Sequence, residues 1–515
     1  MGYKKGSDKT ERSLFPLSLD EQISDDNICR MIDAFTKLLD MSELGFKYAQ
    51  HNNTGNRPYD PRIMLSLYIY GYLHRIRSSR RLETETYRNI EVMWLMAGLK
   101  PNNKTISNFR KDNSESLRLV FREFNNVCRR LGLFGGTLTA TDGTKFRASN
   151  SRKNNHTKTA VDKKLSSINK QISEYMNALE QADATETDDI MPSSKQIKDA
   201  LVKLNDRKNK FEFFSKRIET ESEISTVDPD SRLMRSGGDA RKLDVCYNVQ
   251  TIVDAKNKLI VDFDISDCSD DKGNLHNMTE KAKEVMGVDT LTNLSDKGYY
   301  DGEDIVACED NGVVCLVSKP RPGGAKKGAD FKRDKFKYNR EKNCYICPLG
   351  NELGFRYEDN NKNGKKHYIY SNSSACRKCP KKSDCTNADY RTISRVYYQD
   401  KLDIVDKRTI DNKELYSKRQ EIIEHVFGTI KSVWGYKQFL CRSKPKVSAE
   451  VSLAYLCYNF RRVFNIYDGD VKKLAEAMRI CLSYFFNFLL KMDIFLKIST
   501  FLKNMKWQLK FNCRN

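Results

Sequence analysis

Three acids are the residues of this sequence best able to do chemistry together. Asp142 lies in GTLTATDGTKF, residues 136–146, where threonines alternate with Leu138 and Ala140 in the pattern of a short half-buried strand. A strand that ends in Asp-Gly turns its acid out at the sheet edge, a suitable place for a metal ligand. The same dipeptide also makes an ordinary turn. Asp296 repeats the arrangement in LTNLSDKGYY, with Lys297 beside it to meet a phosphate; a turn acid closing a strand is the plainer alternative. Glu424 lies in YSKRQEIIEHVFGTIKSVWG, helical by periodicity. There Ile422, Ile423, Val426, Phe427 and Ile430 form one stripe, and Glu424, Gly428 and Lys431 share another face. A solvated acid–base pair on a surface helix would read the same way.

Three carboxylates in a chain with only six histidines suit two Mg²⁺ or Mn²⁺ ions, which prefer oxygen ligands and keep waters for a substrate phosphate. Two such ions activate an attacking oxygen and stabilise a leaving one, so the chemistry implied is phosphodiester hydrolysis or transesterification. A second metal signal lies between Asp296 and Glu424. CYICPLG and CRKCPKKSDC supply Cys344, Cys347, Cys376, Cys379 and Cys385, two Cys-x-x-Cys knuckles and one spare thiol. Four thiolates at such spacing favour a closed structural Zn²⁺ site. Spacing alone picks Cys344 as the fourth ligand.

The elements that must position these groups are legible in outline. Residues 1–23 read as a disordered lead. Residues 24–134 read as helices, among them Leu82 to Asn89 and Ile90 to Ala97, ended by Gly98. Thr105 is expected to cap the next helix, ISNFRKDN, which would expose Ser107, Asn108, Arg110 and Lys111. Helix, glycine turn and capped helix resemble a helix-turn-helix DNA reader; a bundle with a solvated basic face fits the spacing equally well. Apolar steps of three and four predict a helical hairpin over residues 155–222, a DNA arm, a dimer contact or a spacer. VCYNVQTIVDAKNKLIVDFDISD reads as a β-hairpin. Strand, hairpin, helix, strand, helix, strand is the order of a mixed α/β sheet with its first strand in the middle.

A net charge of +21 over 515 residues favours a polyanionic partner, nucleic acid before an acidic membrane surface. The polar start lacks a leader's apolar core, and the run from Ile480 to Leu490 is too short to span a bilayer. Fifteen cysteines without a secretion signal imply reduced thiols. A cytoplasmic, nucleoid-associated protein with no membrane contact is expected.

With these residues in hand, the chain resembles a DDE transposase of a bacterial insertion sequence. The stretches that carry the likeness are TISNFRKDN, TATDGTKFRASNS, DPDSRLM, YNVQTIVD, LSDKGYY, the two cysteine knuckles, RTISR, RQEIIEHVFGTIK and LAYLCYNFRR. The resemblance implies an all-α N-terminal domain followed by an RNase H-like catalytic domain, residues 135–467. That domain would hold Asp142, Asp296 and Glu424 as catalytic Mg²⁺ ligands, and a cysteine-rich zinc insertion over 330–395. It also favours Cys385 over Cys344 beside Cys347, Cys376 and Cys379. The family's Tyr-Arg-Glu-Lys signature is nearly met by Tyr416, Arg419, Glu424 and Lys431, although four residues, not three, separate Arg from Glu. One extra helical residue turns Arg419 by about 100°, which leaves Lys431 the better DNA contact. Lys297, Asn108, Arg110 and Lys111 complete the expected DNA-binding set. Implied partners are double-stranded DNA, as terminal inverted repeats and as target, and a second copy of the chain in a homodimer. The implied reaction is metal-dependent cleavage followed by strand transfer. A repurposed site-specific DNA-binding protein and a nuclease of the same fold are the alternatives. The tail, 468–515, reads as helical without an assigned role.

Overall fold

The computed structural model describes residues 17–50, 57–184, 194–219, 223–235, 243–266, 268–320, 329–360, 364 and 366–479. The apolar run from Ile480 to Leu490 lies outside them, as do residues 1–16 of the expected lead. The rest of that lead is ordered by specific contacts. Ile23 is buried, and Asp20 accepts hydrogen bonds from Trp94 Nε1 at 2.9 Å and Arg30 Nη1 at 3.0 Å.

The N-terminal region is helical, as its periodicity predicts: α1 (Ile28–Leu38), α2 (Pro61–Leu73), α3 (Ser79–Arg88), α4 (Ile90–Leu95), α5 (Asn103–Asp112) and α6 (Ser114–Arg130). Short polar side chains start several of them. Asn27, Asp60, Asn89 and Asn102 each accept from a backbone N–H two or three residues on. Asn102, not Thr105, therefore caps α5; Thr105 supplies the N–H that Asn102 accepts, at 2.8 Å.

β1 (Leu138–Arg147) opens the sheet. A small ribbon follows, β2 (Asn155–Thr157) paired with β3 (Glu223–Ser225), and between them stands the predicted hairpin, α7 (Lys158–Ala184) and α8 (Ser194–Ile218). The hairpin has its own small core around Val161, Ile168, Leu204, Phe211 and Phe214. Next come β4 (Arg232–Arg235), β5 (Leu243–Asp254), β6 (Ile260–Ser266), α9 (Leu275–Met286), β7 (Leu291–Ser295), α10 (Gly302–Asp310) and β8 (Val313–Val317). β1 is the middle strand, as expected. It pairs antiparallel with β5 on one side and parallel with β7 on the other, and β7 pairs parallel with β8. Along the far edge of β5 run β6 and, at its start, β4, both antiparallel to it. β5 alone runs against its neighbours.

A separate five-stranded antiparallel sheet follows: β9 (Lys337–Asn339), β10 (Cys344–Ile346), β11 (Glu352–Asn360), β12 (Lys366–Ser371) and β13 (Thr392–Val396). Two short helices, α11 (Ser373–Arg377) and α12 (Lys382–Cys385), lie between its last two strands. The chain then returns through α13 (Gln399–Asp411) and α14 (Lys413–Phe427), a π-helical turn at Gly428–Val433, and α15 (Lys444–Ile466).

The N-terminal helices and the central sheet share one continuous core running from Ile28 to Met478. α15 makes the join, packing on α2, α6 and β6. Buried amides stitch the seam: Asn459 donates to Asn125 Oδ1 at 2.8 Å, and Asn125 donates to the Val261 carbonyl at 2.7 Å. Arg118 closes on buried Asp262 of β6.

Candidate active site

Asp142 and Asp296 come together through register. The last residues paired between parallel β1 and β7 are Thr141 and Ser295. The next residue on each strand is an aspartate, so the two acids leave neighbouring strands at the same level. β1 does not turn at Asp142-Gly143, contrary to the strand-end expectation. β5 keeps pairing beyond β7, Gly143 opposite Gln250, and carries β1 on to Arg147. Nor is the start of β1 half-buried: Thr139 and Thr141 are fully buried, and Asn293 Nδ2 donates to both hydroxyls, at 3.0 and 2.8 Å.

The surroundings keep Asp142 protonated to an unusual degree. Its side chain is a quarter exposed, and Arg419 Nη1 stands 3.4 Å from Oδ2. Burial pushes its carboxyl up to about 7; Arg419 pulls it down, while the charges of Asp296 and Asp271 push it further up. Asp296 caps the turn that follows it, accepting the Gly298 N–H at 2.7 Å. Lys297 is exposed beside it.

Asp271, from the loop between β6 and α9, is a third carboxylate at this point that sequence reasoning missed. A side chain at Gly143 would begin 2.2 Å from Asp271 Oδ1, and one at Gly298 would begin 3.2 Å from Oδ2 and 2.8 Å from Asp296 Oδ1. Both glycines are thus needed for close approach, not for a turn. Gln250 Nε2 and Asn248 Nδ2 donate to Asp271 Oδ1 at 2.7 and 3.0 Å, and the buried Tyr299 hydroxyl donates to Gln250 Oε1. The available signal was Asn248 and Gln250 themselves. Two amides alternating in a strand otherwise apolar demand partners once both faces are covered.

α14 packs on β1, β5 and β7. From it Arg419 reaches Asp142, and the Tyr416 hydroxyl donates to the Ser295 carbonyl at 3.1 Å. Beyond α14, Lys431 in the π-turn donates to Thr144 Oγ1 and to the Lys145 carbonyl at 2.7 Å. Burial brings its ammonium down to about 8. Lys431, Arg419 and Tyr416 therefore grip the site's own strands. Glu424 is exposed on α14, and no contact joins it to either aspartate among the described residues. No three acids, histidines or thiols among the described residues stand close enough to share an ion as they are. The donor chemistry nonetheless fits a hard divalent cation: oxygen ligands only, two of them in matched register, one kept partly protonated for want of a counter-charge.

On α5, Asn108 and Lys111 are exposed with Lys104 and Ser107, as a DNA-reading face requires. Arg110 is not part of that face. It is buried at 7% exposure, 3.3 Å from the Tyr72 hydroxyl and over the Tyr68 ring, because its helical position faces α2 and the core.

In the small sheet, Cys347 and Cys385 pack on a core of Phe336, Tyr345, Leu353, Tyr370 and Ile393. Burial raises the Cys385 thiol, and negative charge on Cys376, Cys379 and Cys347 raises it further, so these four are mutual neighbours. Cys344 faces Glu352 and Lys342 instead. The described cysteines are all free thiols.

A sheet with two acids at the carboxyl ends of adjacent parallel strands, closed by a helix, defines a nucleotidyl-transfer class of site. Comparison with protein families places this chain within that class. Residues 17–112 match the transposase domain DUF772, and residues 346–464 match the transposase DDE domain. The chain belongs to the DDE transposases of insertion elements. The DDE match includes Glu424, Arg419 and the cysteines from 347 on; Asp142 and Asp296 lie between the two matched regions. Neither the curated proteins nor the solved structures gave a match. The family implies an enzyme of transposition that acts on DNA with divalent metal. No helix among the described residues is long and apolar enough to cross a membrane.

Proposed function

We propose that this transposase binds the terminal inverted repeats of its insertion sequence as a homodimer, cleaves there, and joins the freed ends to target DNA. The observation that carries the proposal is the matched register of Asp142 and Asp296 at the ends of parallel strands. It is supported by the strand order β6-β5-β1-β7-β8 with β5 alone reversed, the order of an RNase H-like sheet.

In this proposal Asp142, Asp296 and Glu424 are the catalytic carboxylates and hold Mg²⁺ or Mn²⁺. The bound cations would supply the charge that activates the attacking oxygen and steadies the leaving one. Lys297, exposed beside Asp296, takes a DNA phosphate, and Arg419 brings positive charge to the same edge. Asn108 and Lys111 on α5 read the repeat. Cys347, Cys376, Cys379 and Cys385 hold a structural Zn²⁺ that braces the small sheet, which otherwise has few buried side chains.

The test is a cleavage and strand-transfer assay on the DNA that flanks the gene. Asp142→Asn, Asp296→Asn and Glu424→Gln are each expected to abolish cleavage while leaving end-binding largely intact. Metal-dependent cleavage that survives in any one variant removes that residue from the active site.

A further inference from the structure

We infer that Asp271 is a third oxygen ligand for the divalent cation held by Asp142 and Asp296, an inference that rests on the metal-dependent reading of that pair. Three observations carry it. First, two glycines clear its path: a Cβ at Gly143 would fall 2.2 Å from Oδ1, and one at Gly298 would lie 3.2 Å from Oδ2 and 2.8 Å from Asp296 Oδ1. The Asp271 carboxylate is thereby wedged between the residue after Asp142 and the turn that Asp296 caps. Second, its two oxygens are treated differently. Oδ1 is fixed by two buried amides, Gln250 at 2.7 Å and Asn248 at 3.0 Å. Oδ2 accepts no hydrogen bond among the described residues and lies on the Asp296 side. An oriented carboxylate with one oxygen held and the other free is the usual form of a metal ligand with its supporting shell. Third, the local charge is unbalanced. Asp142, Asp296 and Asp271 gather around a single guanidinium, Arg419, and the charge of Asp271 is among those that disfavour ionisation of Asp142.

Simple burial does not account for this arrangement. A carboxylate kept only to satisfy Asn248 and Gln250 would gain nothing from lying against two like charges, which cost free energy at short range. That cost is recovered when a dication enters.

Asp271→Asn separates the possibilities, because an asparagine keeps an oxygen for the two amides and replaces only the free oxygen. The full chain is titrated with Mn²⁺ alone, followed by electron paramagnetic resonance, beside Asp142→Asn and Asp270→Asn. Asp270 is the exposed neighbour that carries the same charge. Asp271→Asn is expected to weaken Mn²⁺ binding about tenfold or more, while its metal-free melting temperature stays level or rises. Asp270→Asn should change affinity less than about threefold. If Asp271→Asn binds as the parent does while Asp142→Asn fails, the inference falls and the two-aspartate site stands. Equal weakening in Asp270→Asn and Asp271→Asn also overturns it, since field and not ligation would be responsible. A parent chain that binds no Mn²⁺ overturns the inference and the metal reading together.

Discussion

Proton release from Asp142 should govern how the site takes up its cation. The carboxyl stands at about 7 instead of 3.8, chiefly because burial removes the water that would stabilise its charge. A divalent ion binds only the ionised form. Below pH 7 the apparent association constant should therefore fall about tenfold per pH unit, or about 1.4 kcal/mol. Between pH 7 and pH 5 the loss is roughly a hundredfold. The fold itself responds with the opposite sign. A raised carboxyl pKa means that the native state holds a proton which the unfolded chain gives up. Its stabilisation is full below about pH 4 and is lost as pH rises through 7. With a quarter of the side chain still in water, that contribution is at most a few kcal/mol. Isothermal titration with Mg²⁺ at pH 6, in two buffers of different ionisation enthalpy, should count about 0.9 proton released per ion bound. At pH 8.5 the count should be close to zero, and Asp142→Asn should release none at either pH. Mg²⁺ affinity that stays flat from pH 5 to 8, with no proton released, would refute the argument and return Asp142 to the ordinary carboxylate range.

Arg110→Ala should act on folding, not on DNA. It opens a gap beside Tyr68 and Tyr72 and is expected to cost about 2–3 kcal/mol of stability in denaturant melts. Lys111→Ala, on the exposed face of the same helix, should leave the melt unchanged and weaken binding to the end DNA. For the cysteine cluster, elemental analysis should find about one zinc per chain. Cys385→Ser should lose that zinc and Cys344→Ser should keep it; the reverse result would exchange the two ligands.

How far the site was legible in the sequence depended on whether its residues sit in periodic elements. Asp142 and Asp296 were found because each interrupts a short strand pattern with an acid, and Glu424 because it departs from an apolar helical stripe. What periodicity cannot supply is phase against the rest of the fold. α5 was recognised as a helix, yet Arg110 was assigned to its outer face. Only the packing of α5 beside α2 decides that this position is buried, where an arginine stacked on Tyr68 replaces an apolar side chain. Asp271 escaped for a related reason. It lies in an irregular loop, SDDKGN, where acids are ordinary, and its meaning comes from two glycines and two amides far away in the chain. Gly143 was read as a turn residue, although its absent side chain is what admits a carboxylate.

The convergence of these acids follows from how the chain winds its sheet. From β1 the chain moves one way, to β5 and then β6, and afterwards crosses back to place β7 and β8 on the other side. The reversal falls between β1 and β7, and in open α/β sheets it is there, outside the carboxyl ends of the strands, that a crevice opens. Asp142 and Asp296 stand on the two strands that bound it. β6 runs parallel to β1 because both oppose β5, so the loop leaving β6 emerges at the same end and carries Asp271 to the crevice. α14 then lies across β1, β5 and β7 and brings Arg419 over the acids. Each group is delivered by a different connection, and each connection ends at one edge because the strands that matter share one direction.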